Sequence, residues 1–204
     1  MGRPSNTSLR RSEIITALKQ VMAERGYEQA SIARIAEVAG LAPGLVHYHF
    51  GSKAEILLAL ADALGEALRS RAERGLAAAG EDPRERLGAW LDALLGLGDG
   101  ADPEAVRCWA LLGAEALTRE DVAATYRGLL HEAARALRVL LADVLEAEGR
   151  VQRDLPALAS GLLAAVEGFV RVSSAAPGLV PAGSAAPLAR RMAFGLIDAQ
   201  PEVA

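Results

Sequence analysis

Apolar residues recur along this chain at three- and four-residue spacing. Ile14, Leu18, Val21 and Met22 fall at i, i+4, i+7 and i+8, the pattern of one buried helical stripe, and Gly26 stops the run. Ile32, Ile35, Ala36 and Ala39 repeat it at i, i+3, i+4 and i+7 behind Ser31, a residue type that caps helix starts. Gly40 ends that segment, because the left-handed backbone needed there suits a residue without Cβ, and Leu41 turns back towards the core. Pro43 fits the first turn of a following helix, where its missing N–H would be unpaired anyway. Leu45 and Val46 carry that helix into His47, Tyr48 and His49, with Phe50 assigned to the core. Ser52 and Glu55 then show capping-box spacing at the head of a long apolar-periodic segment. Two short helices about a tight glycine turn, with small Ala36 permitting a close crossing, predict a helix-turn-helix.

From residue 54 onward the pattern stays helical, and sustained alternation of the strand kind is missing. Asp82-Pro83 with Glu85, Asp102-Pro103, Thr118 with Asp121, and Ala186-Pro187 each offer a cap or a first-turn proline. The expected helices lie near 52–78, 83–97, 103–117, 119–148, 155–175 and 187–199. With three in the head, that makes an all-α fold of about nine helices. The organisation read from this is an N-terminal tail and helix-turn-helix domain over 1–53 and an all-helical domain over 54–204, linked by one continuous helix from Ser52. The tail, GRPSNTSLRR, carries Arg3, Arg10 and Arg11 and no apolar run. It is free to lie along a phosphate backbone or to stay disordered.

Charge sharpens the picture. The chain as a whole has a net charge of −4, yet residues 1–53 hold seven Lys/Arg against four acids, a net of +3, which leaves −7 for the rest. A basic head on an acidic body concentrates the phosphate-attracting field at the helix-turn-helix. At 204 residues and 51% hydrophobic, the chain can bury a proper core. Its one cysteine, Cys108, excludes an internal disulfide and a cysteine-based zinc site, and a reducing compartment is the default. With no apolar leader after Met1 and no uncharged 18-residue apolar run, the expectation is a cytoplasmic protein with no membrane partner.

The order helix, Gly26-Tyr27, S-I-x-x-I-A-x-x-A-G, a P-G-L-V turn helix, H-Y-H-F, then G-S-K-x-E-I-L resembles the N-terminal domain of TetR-family transcriptional repressors over residues 10–60. Within that family, APGLVHYHF and the later AAPGLVP stretch look most like the choline/betaine-type repressors. The resemblance implies a one-component regulator that binds a palindromic operator on double-stranded DNA as a homodimer and is released by a small-molecule inducer. By matching position it implies base-facing residues Ala42, Pro43, Gly44, Leu45 and His47, with Ala33 and Arg34 from the preceding helix. Phosphate contacts would come from Ser31, Tyr48, His49, Ser52 and Lys53. His47 departs from the family's usual tyrosine.

In the body the resemblance implies an inducer pocket among the middle helices. Side chains able to line one are Trp90, Cys108, Trp109, Glu115, Tyr126, His131, Glu167 and Phe169. Trp109 with Tyr126 could begin an aromatic cage for a cation, with a glutamate supplying charge; packing in the core or at an interface suits the same rings. The resemblance places dimerisation on the last two helices. There Gly161, Ala164, Ala165 and Gly168 permit close approach and Phe169 adds apolar area, though the same residues could be internal.

Two other functional classes compete with a regulator. An enzyme would need a nucleophile with its base, paired carboxylates or a metal cluster, and no such grouping is found. His47 and His49 at i and i+2 point apart on a helix and have no third ligand, so no metal or cofactor is expected. A ligand-binding or scaffold protein with a degenerate head is the alternative, since Ala42, Pro43, Gly44 and Leu45 offer few hydrogen bonds. On the regulator reading, His47→Ala changes base preference, whereas Lys53→Ala weakens binding alike across sequences and lessens its salt dependence. Binding titrations on variant duplexes check both; an unchanged preference removes His47 from the reading set.

Overall fold

The computed structural model describes residues 6–95 and 102–203. Among them run nine helices: α1 Asn6–Arg25, α2 Ile32–Ala39, α3 Pro43–His49, α4 Lys53–Ala78, α5 Pro83–Leu94, α6 Pro103–Glu115, α7 Glu120–Ala147, α8 Leu155–Ala175 and α9 Ala185–Asp198. Strand character among the described residues is limited to two isolated bridges, Arg150 with Glu202 and Pro177 with Val180. The fold is all-α.

Two compact units result. The first comprises Met1–Gly65 and Pro103–Tyr126, and the second Glu66–Asp102 and Arg127–Ala204, each over its described residues. The first closes around Ile14, Leu18, Met22, Ile35, Val46, Phe50, Ile56 and Leu57, with Cys108 and Leu112 of α6 in the same core. The Cys108 thiol donates to the Lys19 carbonyl at 3.2 Å, and Lys19 Nζ stands 3.6 Å from Glu104.

The second unit buries Leu87, Trp90 and Leu91 of α5, Leu137, Leu141 and Leu145 of α7, Leu162, Val166 and Val170 of α8, and Ala189, Ala193 and Ile197 of α9. A charged clasp joins three helix ends. Arg84 at the start of α5 pairs with Glu148 after α7 and, at 2.5 Å, with Asp198 at the end of α9. Arg150 adds a hydrogen bond to Glu148 at 3.1 Å and two at 2.9 Å to the carbonyls of Asp198 and Gln200.

Several local expectations change. Residues Asn6 to Arg11 belong to α1 and are not tail: Arg10 pairs with Glu13 at 2.7 Å, and Arg11 lies 3.9 Å from the centre of the Phe50 ring, so both side chains reward continued helix. Arg3 lies outside the described residues. Thr118 does not cap α7. Its hydroxyl donates back to the Glu115 carbonyl at 3.4 Å, and the Asp121 carboxylate accepts from the Val122 amide at 2.9 Å instead. The Ser52 half of the capping box forms as expected, its hydroxyl accepting the Glu55 amide at 3.2 Å, while the Glu55 carboxylate accepts the Gly51 amide at 3.0 Å, one residue before the Ser52 amide of a standard box. Helix α9 begins at Ala185, two residues earlier than expected. The described part of α5 ends at Leu94, and positions 96–97 of the expected helix lie outside the described residues.

The Arg84 and Arg150 guanidiniums hold the Glu148 carboxyl below the ordinary value of 4.5. A carboxyl whose folded pKa is depressed stabilises fully above its unfolded pKa, and that contribution is lost as pH falls through the folded one. Urea unfolding at stepped pH therefore reads the clasp. Glu148→Gln is expected to flatten the loss of stability between about pH 5 and pH 3; parallel curves for variant and parent would discount it.

Candidate nucleic-acid interface

Helix α2 starts where the Ser31 hydroxyl accepts the Arg34 amide at 3.2 Å and ends on Gly40 at φ +66°. The Gly40 amide donates to the Glu37 carbonyl at 3.2 Å and the Leu41 amide to that of Ala36 at 2.9 Å, a Schellman closure that only a left-handed residue allows without strain. Ala42, extended at φ −71° and ψ 142°, leads into α3 with Pro43 in its first turn.

Helix α3 has seven residues, of which Val46 alone is buried; Phe50, four residues on, is buried too, and its amide donates to the Val46 carbonyl at 2.9 Å. These two anchors occupy one side, so Ala42, Pro43, Gly44, His47 and Tyr48 are exposed and Leu45 and His49 half-buried. Tyr48 is 80% exposed, its ring edge-on to that of His49 with centroids 5.1 Å apart. An aromatic ring so little buried by its own chain is surface available to a partner.

The flanks add charge and hydroxyls. Ser31, Ala33 and Ser52 are exposed. Arg34 pairs with Glu37 at 2.8 Å on the surface, an i, i+3 bond weak enough to exchange for a phosphate. Arg11 donates to the His49 carbonyl at 2.5 Å; it was missed as a member of this face because the tail hid its helical register. Lys53 is engaged inside the head. Its ammonium donates to the Tyr27 carbonyl at 3.0 Å and that of Glu28 at 3.5 Å, and lies 4.1 Å from the centre of the Tyr27 ring.

The residues proposed from sequence for ligand and dimer contacts are placed as follows. In the first unit the Trp109 and Tyr126 rings touch, with centroids 5.2 Å apart and planes tilted by 48°, and pack against the core; Glu115 is half-buried at the end of α6. In the second, Trp90 is buried, His131 exposed, and Glu167 half-buried. None of these six lines the groove bordered by Arg71, Arg74 and Arg190 in the second unit or the one bordered by Ser12, Gln20 and Val38 in the first. On α8, Gly161 and Ala164 are exposed and Ala165, Gly168 and Phe169 half-buried. On α9, Leu188, Met192 and Leu196 are 38, 44 and 37% exposed and repeat every four residues, so they form one stripe. Helix α8, with a mean hydropathy of 1.5, is long and apolar enough by length and composition to cross a membrane, but it contains Glu167 and Arg171, and only 28% of its apolar window is buried within this chain.

Comparison with known proteins gives the same architecture. Residues 14–60 match the family described as bacterial regulatory proteins, tetR family, and residues 83–198 match the BetI-type transcriptional repressor C-terminal domain. The HTH-type transcriptional regulator BetI of Rhizobium meliloti is 33% identical over 81% of this chain and 78% of its own length. That of Stenotrophomonas maltophilia is 30% identical over 96% and 95%. Among solved structures, a transcriptional regulator from Rhodococcus sp. Rha1 covers 95% of this chain and 99% of its own at 26% identity, with a TM-score of 0.79. A regulator from Saccharomonospora viridis in complex with choline covers 94% and 97% at 22% identity with a TM-score of 0.75, a likeness of fold.

Lys53→Ala removes a charge-assisted hydrogen bond and a cation–π contact from a half-buried setting. It is expected to cost about 1–2 kcal/mol of stability, read by urea unfolding. A variant as stable as the parent would free Lys53 for a purely surface role.

Proposed function

The chain belongs to the TetR family of bacterial transcriptional regulators, and from that membership we propose a homodimeric cytoplasmic repressor that grips a near-palindromic operator and is released by a small-molecule inducer. The observation that carries the reading is the outward face of α3, with Val46 and Phe50 buried behind it. Its N-terminal residues enter the major groove. Ala42, Pro43, Gly44 and Leu45 bring the backbone close and meet thymine methyls, while His47 and Arg34 supply hydrogen bonds to base edges. Tyr48, His49, Ser31, Ser52 and backbone amides at helix starts hold phosphates and set the register, with Lys53 adding positive charge beside them.

The α9 stripe and the small-residue side of α8 support the dimer. A twofold axis pairs each face with its own copy and sets two heads about 34–36 Å apart, one helical turn of DNA. The unbroken 26 residues of α4 are the element through which the body acts on the head. The relatives' BetI-type designation and the choline held by the S. viridis regulator support a small quaternary ammonium compound as the first inducer to try.

The test is fluorescence anisotropy on the DNA upstream of the protein's own gene against a scrambled duplex, at several salt concentrations and with added choline. Tight, steeply salt-dependent binding to the upstream duplex alone supports the repressor, and release by choline identifies the inducer class. Equal weak binding to both duplexes favours a head that no longer reads DNA. In parallel, light scattering should show Leu188→Asp with Met192→Asp halving the mass of the parent; an unchanged mass would remove the stripe from the interface.

A further inference from the structure

On the second unit a groove of about 560 Å3 lies between the C-terminal half of α4, α5 and Arg190 of α9. Its floor consists of Gly75, Ala78, Ala79, Ala89 and Ala93. Two missing side chains shape it. A Cβ on Gly75 would stand 3.2 Å from the Ala89 carbonyl oxygen, so the α4 and α5 backbones nearly touch. A Cβ on Gly88 would stand 2.5 Å from Arg190 Cζ, so that guanidinium rests on bare α5 backbone.

From this seat Arg190 donates to both carboxylate oxygens of Asp92, at 3.0 and 2.7 Å, and stands 3.9 Å from Glu85. Asp92 is thus occupied by the groove's own wall, while Glu85 stands exposed at its edge. Arg71 and Arg74 line the same groove from α4. They are three residues apart and share a helix face, and neither forms an ion pair with a carboxylate among the described residues.

We infer that this groove binds a small organic anion with an apolar body: Arg71 and Arg74 take its carboxylate, and the apolar body covers Gly75, Ala78, Ala89 and Ala93. Guanidinium forks match carboxylate geometry, and the volume falls in the range of small-molecule sites. A cation would have to displace Arg190 from its bidentate pair with Asp92 and would meet the guanidiniums of Arg71 and Arg74, three positive groups against the two carboxylates of the lining. The site also stays open in the proposed dimer. Arg190 is two residues from both Leu188 and Met192, about 200° around the helix, and so faces away from the stripe. The inference rests on the groove's own chemistry and is independent of operator binding.

The probe is 2-naphthoate, titrated calorimetrically into the full-length protein beside (2-naphthylmethyl)trimethylammonium as its cationic twin. Naphthoate is expected to bind and the twin not. Arg71→Gln with Arg74→Gln should weaken naphthoate at least about tenfold, the loss of one charge-assisted hydrogen bond or more. Ala78→Phe should do the same by filling the floor with every charge retained. Arg74 and Ala78 are exposed and Arg71 half-buried, so both variants should keep the parent's unfolding midpoint. No naphthoate binding, equal binding of the twin, or full affinity in either variant would overturn the site.

Discussion

Helix α3 exists because two of its neighbouring side chains are buried. A seven-residue helix has no stability of its own in water, where about 12–15 residues are already marginal. Val46 and Phe50 sit one turn apart, both buried, and they fix the helix and its rotation together. Once they point inwards, Pro43, Gly44, His47 and Tyr48 have only the solvent side left. Arg11 reinforces the arrangement by lying against the Phe50 ring and donating to the carbonyl at its N-terminal neighbour. The placement of the outward face therefore follows from apolar burial on the inward one.

Tyr27 has the corresponding part at the other end of the head. Its carbonyl accepts from Lys53 at the first residue of α4, and its phenol oxygen accepts at 3.2 Å from Arg119, between α6 and α7. Both cations also face its ring, at 4.1 and 5.1 Å. Burial pushes the Tyr27 phenol up, against the opposing pull of Arg119, so the hydroxyl stays protonated. One side chain thereby ties the turn after α1 to two segments remote in sequence, and α6 is built into the first unit.

Features closed within one turn of chain were legible in sequence. Ser31 accepting from Arg34, Gly40 in its left-handed turn and Asp82 accepting the Glu85 amide at 2.9 Å all have partners within a few residues, and residue type at that spacing is enough to identify them. The helix-turn-helix and the order of nine helices followed from the same local rules. Longer reach was not legible. Lys53 looked like a surface cation because Tyr27 is 26 residues away, and Arg11 looked like tail because its partner is 38 away. At Thr118 two local rules competed, and the nearby Asp121 carboxylate took the amide. Trp109 and Tyr126, paired from sequence as rings that could meet, do touch; that they also pack against the core of the first unit depends on tertiary packing that spacing does not encode. The groove beside Arg190 escaped for a related reason: it is defined by glycines and alanines, which carry no chemical signal until a fold brings guanidiniums to their edge.

The uncovered stripe on α9 also bears on dosage. In the proposed dimer, part of each chain's apolar burial is supplied by its twin, so folding and pairing share one equilibrium and the protein's melting temperature rises with its concentration. Below the dissociation constant, the population able to span both half-sites grows as the square of the amount synthesised. On that proposal, a twofold change in the regulator's own expression becomes a fourfold change in occupancy-competent protein, a nonlinearity to which the three side chains of the stripe contribute.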